Sequence, residues 1–291
     1  MTDICAAPRR ATRLSIIAFV SAIVLVAPAA VAQSLGSAQS FAVLGASTVT
    51  NTGASLISGN VGVSPGTSIT GFPPGVVVSG SIHAGDVAAA QAHADASVAS
   101  AKLKALPCPS INNLSGRVLG TDVLTLPPGV YCFDTSASLV GTLGLTGAGP
   151  WVFQIGTTLT TATASAVVVI DAGANCSGSN VFWQLGTSAT LGTATHFAGH
   201  VLASVSVTAT TGVSVSGSLI ALIGAVTLDT NAVSACAAGA GGVPPPEMDK
   251  CEEHRDKDGD DHDRDEHDKN KDKDHKDKDH DGKDKKTIRK Y

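Results

Sequence analysis

Valines alternate with small hydroxyl residues through Ser204-Val205-Ser206-Val207-Thr208 and again through Val213-Ser214-Val215-Ser216. A period of two marks a strand with one buried face, sending Val205 and Val207 inward and Ser204, Ser206 and Thr208 outward. Short Val/Ile/Leu runs broken by Gly, Asn, Ser and Pro fill residues 35–82 and return from Cys108 to Cys236. The stretch 84–106, AGDVAAAQAHADASVASAKLKAL, breaks this pattern. It predicts one helix of about 20 residues, longer than average. Asp86 can accept the free amide hydrogens of the first turn. Val87, Ala90, Ala94 and Val98, with Leu103 or Ala101, keep helical spacing as the buried stripe. Lys102 and Lys104 suit the negative end of the helix dipole, and Pro107 stops the helix.

Four Thr-x-x-Thr units punctuate the second half: Thr160/Thr163, Thr190/Thr193, Thr208/Thr211 and Thr227/Thr230. The last three recur at intervals of 18 and 19 residues. A repeat of that length is one coil of a solenoid, with room for about three strands and their turns, hence a triangular section. Stacking then puts like residues in files. One difficulty is local: in a straight strand i and i+3 point to opposite faces. Both threonines of a unit face out only if a bend intervenes. Otherwise the outward pairs are i, i+2, such as Thr208 with Thr210, Thr161 with Thr163, or Thr193 with Thr195.

Charge divides the 291-residue chain sharply. Of 25 acidic and 20 basic residues, 18 and 14 lie after Pro246. Residues 33–246 keep six acids, Asp86, Asp95, Asp122, Asp134, Asp171 and Asp229, and three bases, Lys102, Lys104 and Arg117; the other three bases fall in residues 1–32. No basic patch exists for nucleic acid. Residues 1–32 read as a secretory signal, with Arg9, Arg10 and Arg13, the apolar run Leu14 to Val26, Pro28, and an Ala30-Val31-Ala32 cleavage site. The apolar run is short for a membrane span, so no membrane partner is expected after cleavage. The 237–246 stretch, AAGAGGVPPP, is a linker, and 247–291 is a charged tail too poor in apolar residues to fold by itself. Export permits disulfides. Sequence alone leaves their pairing open; the pairs expected are Cys108–Cys132 and Cys176–Cys236, with Cys251 unpaired. No C-x-x-C pair supports a zinc site.

An ordered series of motifs then identifies a relative. It runs from Leu35-Gly36-Ser37-Ala38-Gln39-Ser40-Phe41-Ala42-Val43-Leu44 through Thr48-Val49-Thr50-Asn51-Thr52-Gly53, Gly59-Asn60-Val61-Gly62-Val63-Ser64-Pro65-Gly66 and Gly71-Phe72-Pro73-Pro74-Gly75. It continues with Ile82-His83-Ala84-Gly85-Asp86, Leu126-Pro127-Pro128-Gly129-Val130-Tyr131, Phe153-Gln154-Ile155-Gly156, Val181-Phe182-Trp183-Gln184 and Gly224-Ala225-Val226-Thr227-Leu228-Asp229. Over residues 35–236 the chain resembles the microbial ice-binding proteins. The resemblance implies an all-β, right-handed β-solenoid of triangular section with one long helix alongside. It implies that the segment before the helix stacks beyond the C-terminal coils, and that one face meets ice. Thr208-Ala209-Thr210-Thr211 is similar to the Thr-Ala/Gly-x-Thr/Asn motif that a subgroup of the family carries on that face. Thr160-Thr161-Ala162-Thr163, Thr190-Leu191-Gly192-Thr193 and Thr227-Leu228-Asp229-Thr230 keep its outer threonines and depart at the second position. An outward Asp229 there disturbs bound water unless it turns inward or into a loop.

The resulting expectation is a secreted, monomeric, non-enzymatic protein with no cofactor, whose partner is the ice surface, met through Thr160, Thr163, Thr190, Thr193, Thr208, Thr210, Thr211, Thr227 and Thr230. Two other classes compete. An enzyme needs clustered carboxylates, and the acids here are scattered; His83, His93, His196 and His200 offer only the 196/200 pair, which in a straight strand shares a face. An extracellular adhesin or surface scaffold fits the solenoid and its tail. Within that tail Asp277-Lys278-Asp279-His280-Asp281-Gly282 matches the start of a calcium loop, but position 12 is Ile288 rather than Glu. Weak divalent-metal binding by its Asp and His residues is the remaining expectation for that segment.

Overall fold

The computed structural model describes residues 33–170, 176 and 178–236. The expected signal, linker and tail, together with Cys251 and Asp171, lie outside these residues. Each coil contributes up to three short strands, and the strands pair in parallel from coil to coil. One side of the triangle is an eight-stranded sheet, ordered Ser68–Thr70, Thr48–Thr52, Val226–Asp229, Val207–Ala209, Ala189–Leu191, Leu159–Thr161, Ala137–Leu139 and Val118–Leu119. A 14-stranded sheet wraps the other two sides.

That wrapping is possible because His196–Ala203 and Ser214–Ala221 run across a corner without a break. Gly199 and Gly217 are paired in register at the corner, with φ of +124° and +147°. A Cβ on Gly217 would stand 2.0 Å from the Gly199 carbonyl oxygen, so glycine alone permits both the bend and the approach. The same bend corrects the expectation for the histidines. His196 is exposed on the outer side, bonded through Nδ1 to Ser214 Oγ at 2.7 Å, while His200 turns onto the next side and is buried.

The stacking order differs from the chain order. Phe41–Gly45 pairs with Ser214–Ala221, and Thr48–Thr52 pairs with Val226–Asp229. The coils before the helix therefore extend the stack beyond the last C-terminal coil, as the family resemblance implies. Inside, alternate strand residues fill a single core. Its thickest part is an aromatic stack: Tyr131 lies 5.6 Å from Phe153, Phe153 3.9 Å from Trp183 and Trp183 5.0 Å from Phe197, between ring centroids. The indole N–H groups of Trp151 and Trp183 donate to Leu126 O and Ala198 O, both at 3.1 Å, so neither ring buries an unmet donor. Val205 departs from its expected inward place. It is 40 % exposed, because the strand begins only at Val207 and Val205 sits in the preceding corner.

Helix α1 (Val87–Lys104) lies along the side built from Phe41–Gly45, Trp151–Ile155 and Val181–Leu185. Those strands are buried on both faces almost throughout and read as apolar runs interrupted only by Gln154 and Gln184. Asp86 caps the helix, its Oδ1 accepting from Ala89 N at 2.9 Å. At the other end Gln154 Nε2 donates to Leu103 O and Leu106 O, at 2.7 and 2.8 Å. The buried residues are Ala89, Ala92, Ala96, Ala99, Ser100 and Leu103. Except for Leu103, the stripe expected from spacing is the wrong one: Ala90 and Ala94 are exposed, and Val87 and Val98 are 85 % and 53 % exposed. Alanines occupy both this stripe and the buried one, so the spacing of apolar residues does not choose between them. Close approach does, since bare methyl groups let the backbone come down on Phe41, Phe182, Leu202 and Ile220. Ala96→Leu should therefore overpack this seam and lower stability by about 1–3 kcal/mol, measured by thermal unfolding.

Two disulfides join Cys108 to Cys132 and Cys176 to Cys236. The first ties the segment after α1 to the strand Gly129–Phe133.

Candidate functional site

The eight-stranded side carries small outward residues in a continuous file. Backbone register aligns Val118, Ser138, Thr160, Thr190, Thr208, Thr227, Thr50 and Thr70 in successive strands. Their neighbours point into the core: Leu159, Ala189, Leu191, Val207, Ala209, Val226 and Leu228 are essentially buried. This is period-two alternation on a sheet with one wet face. Two residues earlier in these strands or their approaches, Thr158, Ser188, Ser206, Thr48 and Ser68 make a second file of hydroxyls, interrupted by Ala225 in the coil of Thr227, with Thr48 paired to Ser68. Among the described residues of these eight strands, Asp229 is the one that carries a charge.

A third file follows the corner where this side ends. In Thr160-Thr161-Ala162-Thr163 the strand stops at Thr161, and the chain bends before Ala164, whose φ is +57°. Ala194 at +56° and Gly212 at +75° repeat the bend. Thr163, Thr193 and Thr211 are consequently exposed together with Thr160 and Thr190, and Thr208 is half-exposed. The bend removes the i, i+3 difficulty. Of the i, i+2 alternatives, Thr161 and Thr195 are excluded from the surface, being buried and bonded Oγ1 to Oγ1 at 2.9 Å. Thr210 is half-buried, its Oγ1 donating to Leu191 O at 2.9 Å and lying 3.3 Å from Thr193 Oγ1.

The fourth Thr-x-x-Thr is not equivalent to the other three. At each bend the left-handed residue donates its N–H to the next coil: Ala164 to Thr193 O, Ala194 to Thr211 O, Gly212 to both Asp229 O and Thr230 O at 3.2 Å, and Thr230 to Thr52 O. The residue just before each left-handed position makes the rim file, Thr163, Thr193, Thr211, Asp229 and Thr52, and Asp229 pairs directly with Thr52. Thr230 occupies the left-handed position itself, with φ of +54°. The coil of Thr227 is one residue shorter at this corner, and so is the coil of Thr50, where Gly53 takes φ of +80°.

The change of length leaves Thr210 without a counterpart in the next coil. Asn231 fills the gap: its Nδ2 donates to Thr210 O at 2.6 Å, and its Oδ1 accepts from Asp229 N at 2.6 Å. Its own N–H donates to Ser55 Oγ at 2.8 Å. A buried side-chain amide thus replaces one missing peptide group, leaving no orphaned polar atom there.

Thr50, Thr70, Thr48, Ser68 and Thr52 belong to this surface but were not legible as part of it from the repeat. They lie far from Thr227 in sequence and join it only at the seam between the two chain segments. The alternation Thr48-Val49-Thr50-Asn51-Thr52 was the available signal. Elsewhere the carboxylates serve local structure. Hydrogen bonds from Ala89 N and His83 hold the Asp86 carboxyl below its usual range, and those from the Ser37 hydroxyl and N–H do the same for Asp95. Among the described residues no cluster of three His, Cys, Asp or Glu could hold a metal ion, and no helix is long and apolar enough to cross a membrane.

A parallel three-sided β-solenoid with a flanking helix and an almost uncharged hydroxyl side defines a narrow class of protein. The chain belongs to the ice-binding-like family, whose pattern it matches over residues 43–234. It is 50 % identical over 226 residues to the ice-binding protein of Nostoc sp. (strain HG1), covering 76 % of this chain and 80 % of that one. The crystal structure of the ice-binding protein from the Antarctic ascomycete Antarctomyces psychrotrophicus superposes with a TM-score of 0.64 at 41 % identity, covering 70 % of this chain and 98 % of that one. An ice-binding protein from an Antarctic biological consortium gives 0.64 at 40 % identity, covering 69 % and 90 %.

Proposed function

We propose that this protein is exported, adsorbs to ice as a monomer through its eight-stranded side, and so limits crystal growth and recrystallisation. The observation that carries the reading is the unbroken file from Ser138 to Thr70, with a second file of small residues, hydroxyl except at Ala225, alongside. Ice offers neither net charge nor a pocket, so adsorption has to come from fit repeated over area. Coils about 4.7–4.9 Å apart and same-face residues about 6.6–6.8 Å apart give a grid on the scale of water–water spacings in a lattice. Threonine suits such a grid because its hydroxyl can hold a water while its methyl discourages competing hydration. Its branched Cβ leaves few rotamers, so little freedom is lost on adsorption. The names of the relatives support the same partner, and the two disulfides suit an oxidising compartment outside the cell.

The deciding experiment is recrystallisation of polycrystalline ice with the full chain present at micromolar concentration. Slowed grain growth is the expected result, and growth at the rate of a buffer control overturns the reading. Weak divalent-metal binding by the Asp and His residues of 247–291 is a separate part of the proposal, tested by calorimetric titration of the full chain with divalent cations, where heats equal to a dilution control reject it.

A further inference from the structure

We propose that Asp229 limits how strongly this side adsorbs to ice. The inference rests on the reading of the eight-stranded side as the ice-contacting surface, and it concerns a residue whose effect on that surface is opposite to that of the threonines around it.

Three observations carry it. First, register puts Asp229 in the rim file, in the place that Thr163, Thr193, Thr211 and Thr52 hold in neighbouring coils, with Thr52 and Asp229 directly paired. Second, it is half-exposed, so its carboxylate is in reach of whatever approaches the rim. Third, it engages the hydroxyls beside it: Thr211 Oγ1 donates to Asp229 Oδ2 at 2.5 Å, and Thr230 Oγ1 to Asp229 Oδ1 at 3.0 Å.

Two consequences follow from that chemistry. An ionised carboxylate is the most strongly hydrated group on this side, and its water is ordered around a charge rather than as a lattice. Moving it against ice requires giving up part of that hydration, a cost that two hydroxyl donors offset only in part. The Thr211 hydroxyl proton is also committed to the carboxylate, so Thr211 cannot donate it to a lattice water. The rim is thereby cut between Thr211 and Thr52, while the central file from Thr208 through Thr227 to Thr50 runs on unbroken. The interruption falls where the corner changes length and Asn231 joins the two geometries. The adsorbing surface is thus one central strip with a rim in two pieces.

The test compares freezing hysteresis of the full chain with that of Asp229→Thr, Asp229→Asn and Thr190→Tyr at equal concentration, each checked for folding by circular dichroism at 4 °C. Asp229→Thr continues the rim and frees Thr211; a rise of about twofold or more is expected from removing the charge's desolvation. Asp229→Asn removes the charge but still occupies Thr211, so it should fall between wild type and Asp229→Thr. Folded Asp229 variants at or below wild-type activity, with Thr190→Tyr inactive, overturn this inference and leave the surface assignment standing. Full activity in Thr190→Tyr overturns the surface assignment and the inference with it. If Asp229→Thr fails to fold, the nearly isosteric Asp229→Asn decides alone: a gain supports the inference and no gain rejects it.

Discussion

Thr190→Tyr combined with Thr208→Tyr is expected to reduce freezing hysteresis at least about tenfold while leaving the fold intact, because adsorption depends on a complementary fit over the whole patch rather than on any one strong contact. The two threonines are adjacent in the central file, paired in register. Their side chains point away from the core that Ala189, Leu191, Val207 and Ala209 fill. Surface substitutions of this kind usually change stability by no more than about 0.5 kcal/mol, so activity and folding should separate cleanly. Two tyrosine rings rising from the middle of the strip would hold the rest of the file off a lattice plane. Ala232→Tyr, exposed on a different side, is the matched control and should keep full activity. Nanolitre osmometry with circular dichroism on the same samples checks both statements. Equal loss in all variants, or loss only in the control, would place the adsorbing surface elsewhere.

Acid should weaken the protein through His200. The imidazole is 1 % exposed, stacked near Phe182 with centroids 5.5 Å apart, and bonded through Nδ1 to the buried Ser218 Oγ at 2.8 Å. Burial lowers its pKa from 6.5 to about 4, so the folded protein holds it neutral. The unfolded chain takes up the proton first as pH falls. This contribution to stability is therefore complete above the unfolded value of 6.5 and is lost progressively down to about 4, where the folded form protonates as well. Linkage puts the loss at about 3 kcal/mol across that window. His200→Gln keeps a hydrogen-bonding group for Ser218 but does not titrate. Denaturant midpoints between pH 7 and pH 4 should fall steeply for wild type and much less for the variant. Parallel curves for the two proteins would assign the acid sensitivity to another group.

The alternation of Val with Ser and Thr, the coil period and the near absence of charge were enough to read a solenoid with a hydroxyl side. These are one-dimensional signals, and each coil repeats them locally. The helix was legible in its existence and its cap, Asp86, but not in its buried face. Alanines at i, i+4 spacing occur on more than one face of this helix, and the choice between the Ala90/Ala94 and Ala92/Ala96 stripes is made by the shape of the sheet beneath. His196 and His200 could not be separated in sequence either, because the separation depends on a corner at Gly199 that only the stacked partner Gly217 makes visible.

The surface itself shows the same division. Sequence alone determined which residue types the outward positions hold, and it located Thr160, Thr190, Thr208 and Thr227 at one place in successive repeats, because strand periodicity and coil length are local properties of the chain. Tertiary structure decided that Thr50 and Thr70 continue that file and that Asp229, not Thr230, stands in line with Thr211. The physical reason is register: which residue lies beside which is set by hydrogen bonds between coils. At the seam those bonds join segments far apart in the chain, and one corner is a residue shorter than the next.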